Sequence, residues 1–173
     1  MCPPDQARHL PKIRSTLDRR WDDVDPGLRE AFGALCTGRA PWPLFLYGQV
    51  GAGKTLGALA LTDRVTRGAC YILAEDLAGL GYRPEDYFWH DTVKTSPLLV
   101  VDEIGARVKI GDLHYSTLKK TLDLREQYAG RVGVYISNCE PGRIATLYDE
   151  RIASRLLCGT HFELAGPDRR MSA

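Results

Sequence analysis

Short runs of nearly uninterrupted apolar residues punctuate the chain: Leu44–Tyr47, Cys70–Leu73, Leu98–Val101 and Val132–Ile136. Runs of this length without polar alternation predict strands buried on both faces. Between them the apolar positions recur at helical spacing. Leu118, Leu122 and Arg125 share one stripe of a helix predicted over Leu113–Tyr128. Further helices are predicted from about Gly53 to Thr66, briefly after Asp76, near Glu85–Thr95, over Arg143–Leu147 and over Glu150–Leu157, with a break at Tyr148 and Asp149. His161–Leu164 is expected to close the sheet. Strand and helix alternating with short connections predict an α/β fold with a mostly parallel five-stranded sheet between helices.

The first forty residues read differently. Pro3, Pro4, Pro11 and Pro26 accompany a basic stretch (Arg8, Lys12, Arg14, Arg19, Arg20) and an acidic cluster (Asp22, Asp23, Asp25). This predicts a poorly packed N-terminal arm over 1–40, ahead of a core over 41–173. One helix is expected in the arm, from Pro26 to Leu35. Asp25 can cap it, Pro26 suits its first turn, Gly38 follows its end, and Leu28, Ala31, Phe32 and Leu35 form one face.

Composition narrows the class without choosing a function. With 173 residues the chain fits one domain, and its net charge of +1 gives no global pull toward nucleic acid or acidic lipid. The longest apolar runs fall far short of the ~20 residues of a membrane span, and the N-terminus has no apolar stretch resembling a signal peptide. A cytoplasmic protein is expected. Cys36, Cys70, Cys139 and Cys158 form no metal-ligand spacing and read as small buried hydrophobes in a reducing compartment, with Cys2 exposed.

Two segments carry the chemistry. GQVGAGKT, Gly48 to Thr55, matches the phosphate-loop pattern G-x-x-x-x-G-K-[ST] between a strand and a helix. Gly48, Gly51 and Gly53 let backbone N–H groups turn inward around phosphates, and the following helix adds its positive end. Lys54 is a point charge for the outer phosphates, and the Thr55 hydroxyl suits Mg²⁺. Ala52 and Leu56 complete the expected ATP-binding set. PLLVVDEIGAR, Pro97 to Arg107, places Asp102 and Glu103 at the end of a buried strand, where side chains face a ligand crevice. Asp102 is expected to hold Mg²⁺, directly or through water, and Glu103 to activate an attacking water. An acidic pair that merely starts a turn is the plainer alternative. Its position about fifty residues after a phosphate loop argues against that.

Two other segments are less specific. Val132 to Pro141 ends its strand in Ser137 and Asn138, where an amide could hold a water or sense a γ-phosphate, although asparagine there is commonly turn chemistry. Arg151 and Arg155 stand i,i+4 on one helix. They are either surface charges paired with Asp149 or Glu150, or arginines aimed at the phosphate of a neighbouring subunit.

Taken together, Gly48–Thr55, Asp102–Glu103, SNCEP, RIASRL and the terminal GTHFELAGPDRR resemble the AAA+ ATPases of the DnaC/DnaI helicase-loader group, which includes the IstB-type transposition helpers. The resemblance covers about 42–170. It implies a P-loop fold of AAA+ type and ATP hydrolysis with Mg²⁺ bound by Thr55 and Asp102. Glu103 is then the base, and Asn138 the sensor-1 residue with Ser137 as the alternative. Arg155 is the arginine finger acting on an adjacent subunit, with Arg151 beside it, and Arg170 is a second sensor arginine unless Arg169 takes that place. It implies self-association through shared ATP sites, with single-stranded DNA, a replicative helicase or a transposase as partner. The roughly forty residues ahead of the core are expected to be too few for a loader's helicase-gripping domain, and no separate C-terminal lid is expected. Tyr82, Tyr87, Phe88 and Trp89 lie where initiator-type members contact single-stranded DNA. Such aromatics stack on bases or, more commonly, pack under a loop. Lys94, Lys109, Lys119 and Lys120 could add phosphate contacts, or simply be solvated. A transposition helper shares every motif above. A small-molecule kinase shares only the phosphate loop and fold, and leaves Glu103 and the arginine pair without a role.

Overall fold

The structure is a computed structural model and describes residues 20–65, 69–80, 93, 95–106, 110–128 and 132–166. Helix α1 (Pro26–Cys36) follows a 3₁₀ turn (Trp21–Asp23). Then come β1 (Leu44–Tyr47), α2 (Lys54–Arg64), β2 (Ala69–Leu73), α3 (Ala74–Leu80), β3 (Leu98–Ile104), α4 (Asp112–Tyr128), β4 (Gly133–Ser137), α5 (Pro141–Leu147), α6 (Glu150–Leu156) and β5 (Thr160–Glu163). The five strands form one sheet in the order β2-β3-β4-β1-β5, and all its pairs are parallel. β1 lies between β4 and β5, with Tyr47 in register with both Ser137 and Glu163.

Alternate residues of β1 to β4 enter separate apolar clusters. Leu44, Leu46, Tyr71, Leu98, Val100, Val134 and Ile136 pack with α1 and α2. Phe45, Cys70, Ile72, Leu99, Val101 and Tyr135 pack with α3, α4, α5 and α6. Both faces of β1 to β4 are therefore covered, which is why these strands read as continuous apolar runs rather than alternating ones.

The poorly packed arm expected over 1–40 needs correction from residue 21 onward. Val24, Leu28, Phe32 and Leu35 are essentially fully buried and belong to the same cluster as Leu44 and Leu46. The helix starts as predicted, with the Leu28 N–H donating to Asp25 Oδ1 at 3.0 Å. It sits close because Gly57 on α2 has no side chain, and a Cβ there would lie 2.5 Å from Leu28 Cδ2. Residues 1–19 lie outside the described part. The cysteine expectation holds for Cys70, which is buried, but Cys36 and Cys158 are exposed and Cys139 is half-buried. Cys36 closes α1 just past its apolar face, and Cys158 sits in the link between α6 and β5. Cys2 lies outside the described residues. No helix among the described residues is long and apolar enough to cross a membrane.

Arg125 extends the Leu118–Leu122 stripe as predicted, yet it is 1% exposed. Its Nη1 donates to the carbonyls of Val93 and Ser96, and its Nη2 to that of Val132. The guanidinium thus ties the chain entering β3 to the chain entering β4, and burial lowers its pKa.

Candidate functional site

The loop after β1 owes its path to glycine. Gly48, Gly51 and Gly53 have φ of 136°, 80° and 102°, a region that side chains disfavour. At Gly48 a Cβ would also stand 2.3 Å from the Leu164 carbonyl oxygen, so β5's exit closes on the loop. Lys54 opens α2 and is 6% exposed. Its Nζ donates to the Gly48 and Gln49 carbonyls at 2.8 and 2.7 Å, so the ammonium lies inside the curve of its own loop.

Across the crevice, Asp102 is 4% exposed. Its Oδ2 accepts the Thr55 hydroxyl at 2.7 Å, joining residues 47 apart in the chain. The Glu103 N–H reaches Asp102 Oδ1 at 2.7 Å. A hydroxyl and a carboxylate so paired are hard oxygen donors that suit Mg²⁺. Tyr71 on β2 is a residue that sequence reasoning did not identify. It donates its phenol proton to the same Oδ2 at 2.7 Å. Burial, and then the Asp102 charge, push the Tyr71 pKa far upward, so the phenol keeps its proton. Only the cross-strand register, which sets Leu73 beside Asp102, reveals the pairing.

Asp102 and Glu103 do not follow the strand, as expected from the sequence, but lie within it. β3 runs on to Ile104 with a register shift: Val101 pairs with Tyr135 and Ile104 with Ser137, so two residues face Ile136 alone. Such a bulge re-aims side chains. Asp102 keeps the face of Val100, toward α2, while Ile104 returns to the face of Val101 and is buried there. Glu103 takes up the offset with a φ of 61°, uncommon for a residue with a side chain, and is exposed. It borders a cavity of about 30 Å³ lined also by Glu75, Gly105, Ala106, His114 and Tyr148. That volume admits a water, and His114 Nε2 is buried there without a hydrogen-bond partner.

At the tip of β4 the two sequence candidates separate. Ser137 is buried, donates to the Ile104 carbonyl at 2.7 Å and accepts the Cys139 N–H at 2.9 Å, so its hydroxyl is committed to holding β4 against β3. Asn138 is exposed, one residue beyond the Tyr47–Ser137 register pair and therefore alongside Gly48.

Among the described residues, the ion pairs of the α6 arginine Arg155 run to α4 and not to the loop or Asp102. Arg151 is exposed. Arg155 is held by α4 rather than by Asp149 or Glu150: its Nη2 lies 2.8 Å from Asp123 Oδ1 and its Nε donates to Glu126 Oε2 at 3.1 Å. Asp149 instead caps α6 through the Ile152 N–H at 2.8 Å and accepts the Tyr115 phenol at 2.6 Å. Lys119 pairs with Asp123 at 3.3 Å. Arg169, Arg170, Tyr82, Tyr87, Phe88, Trp89, Lys94 and Lys109 lie outside the described residues.

No protein-family model and no curated protein sequence matches the chain. Solved structures do match in three dimensions. The replication initiator DnaA bound to AMPPCP and single-stranded DNA aligns with 86% of this chain and 50% of its own, at 21% identity and TM-score 0.68. DnaI aligns with 87% and 92%, at 19% identity and TM-score 0.65. The DnaC helicase loader aligns with 70% and 76%, at 21% identity and TM-score 0.58. The chain spans about half the length of the AMPPCP-bound DnaA chains it matches, that of Aquifex aeolicus among them. The fold is therefore that of the AAA+ P-loop domains.

Proposed function

We propose that the protein binds and hydrolyses ATP with Mg²⁺, assembles through shared ATP sites, and acts in DNA replication as a helicase-loader-like factor that engages single-stranded DNA or a helicase. The observation that supports the ATPase reading is the Thr55–Asp102 hydrogen bond, which joins a hydroxyl and a carboxylate of the kind that suits Mg²⁺, beside a loop of left-handed glycines. Gly48, Gly51, Ala52, Gly53 and Leu56 surround the triphosphate, and Lys54 transfers its ammonium from the loop carbonyls to the outer phosphates. Mg²⁺ supplies neutralisation of phosphate charge when bound, held by Thr55 and Asp102. Glu103 takes the proton of the attacking water and Asn138 orients that water.

Arg155 exchanges Asp123 and Glu126 for the γ-phosphate of the neighbouring subunit, with Arg151 lining the same contact. The replication role is supported by the likeness in fold to an initiator bound to single-stranded DNA and to a helicase loader. Specific ATPase rate measured against protein concentration, with and without single-stranded DNA, tests the proposal. A rate that rises with concentration and again with DNA is expected. A flat rate indifferent to DNA contradicts shared sites and the replication role.

A further inference from the structure

Asp102 is satisfied from three sides. Its Oδ1 takes the Glu103 N–H, and its Oδ2 takes both the Thr55 hydroxyl and the Tyr71 phenol, each at 2.7 Å. An ionised carboxylate only accepts, so both hydroxyls are donors. Thr55 spends its proton on Asp102 and keeps its lone pairs for another partner. Tyr71 is 3% exposed and lies in the α1–α2 cluster, on the same sheet face as Val100. A buried phenol needs an acceptor, and here the acceptor is the one oxygen that also receives Thr55.

We propose that Tyr71 is a positioning residue for the metal: its phenol fixes Asp102 Oδ2 beside Thr55, so that the Thr55 oxygen faces the cation. The inference rests on the Mg²⁺-ATP reading above. It predicts an effect that belongs to the metal rather than to the nucleotide or to the core. The shape of the loop is set by its glycines, whereas the Tyr71 phenol donates to Asp102.

ATP affinity titrated against Mg²⁺, with a chelator defining the metal-free limit, tests this in wild type, Tyr71→Phe, Asp102→Asn and the double variant. Phenylalanine keeps the ring and removes only the donor. Tyr71→Phe is expected to leave metal-free ATP affinity within about twofold, yet to raise the Mg²⁺ needed for half-maximal binding about tenfold. It should add no more than about twofold in the Asp102→Asn background, because residues acting through one contact are not additive. An unchanged or lower Mg²⁺ requirement overturns the proposal, as does an equal loss of affinity with and without metal, or full additivity. A wild-type protein that binds no ATP even with saturating Mg²⁺ overturns the ATPase reading itself.

Discussion

The crevice between the glycine loop and β3 and the face where α6 meets α4 are built on different principles. In the crevice, backbone conformation does the placing. Three left-handed glycines shape the loop and a bulge turns Glu103 outward, and one buried carboxylate gathers Thr55, Tyr71 and the Glu103 amide. On the α4–α6 face, side chains do it: Arg155 lies between Asp123 and Glu126, and Asp149 caps the helix that carries it. The first region is the one proposed to bind phosphate and metal within one chain. The second offers a cation whose in-chain partners are half-exposed and exchangeable, because ion pairs of that kind contribute only ~0–1 kcal/mol.

The sharpest way to break this contrast is to remove one group from each side. Glu103→Gln is expected to keep ATP affinity and lower turnover by about 10²–10⁴, read as hydrolysis alongside nucleotide binding; equal turnover would remove Glu103 from the chemistry. Arg155→Ala is expected to keep ATP affinity and lower assembly-dependent hydrolysis by about 10³ or more, the range for an arginine supplied in trans. An undiminished rate in concentrated protein would leave Arg155 a structural residue of the α4–α6 face.

A third test concerns what lies behind the crevice. Phe32→Ala on α1 should cost about 3–5 kcal/mol, measured by denaturant unfolding, because α1 is part of the core under α2. A cost below about 1 kcal/mol would return α1 to the status of an arm. The smallest effect is expected at the α6 cap. Its hydrogen bond with Tyr115 holds the Asp149 carboxyl below its ordinary value of 3.8 and the Tyr115 phenol above its ordinary 10.0. The depressed acid stabilises the fold fully above 3.8 and loses that contribution as pH falls through its lowered value. The raised phenol stabilises fully below 10.0 and loses its part as pH climbs through its raised value. Tyr115→Phe should therefore flatten the dependence of Tm on pH at both ends, and an unaltered profile would mean that the pair contributes nothing.

The same contrast explains what could be read from the sequence. The glycine loop is a local device, so GQVGAGKT specifies its own conformation, and the four short apolar runs foretold β1 to β4 and their burial. The bulge at Glu103 could not be read, since it exists only as a mismatch between β3 and β4. Tyr71 looked like any apolar strand residue, because its partner comes from the neighbouring strand. The acids that hold Arg155 come from a helix about thirty residues earlier, so the sequence pointed to its neighbours Asp149 and Glu150 instead. Prolines and charges made 20–40 look loosely attached, although the face of Leu28, Phe32 and Leu35 already carried the signal of a packed helix.

Whether the two regions meet only between subunits is tested most directly by mixing. On the proposed reading Lys54→Ala would lack the phosphate ligand and Arg155→Ala the trans cation, so each is expected to be inactive alone. In an equimolar mixture some interfaces join an intact loop to an intact Arg155. Hydrolysis reappearing in the mixture is the predicted result. A mixture as inactive as its components, at concentrations where the wild type is active, would contradict a site shared between chains.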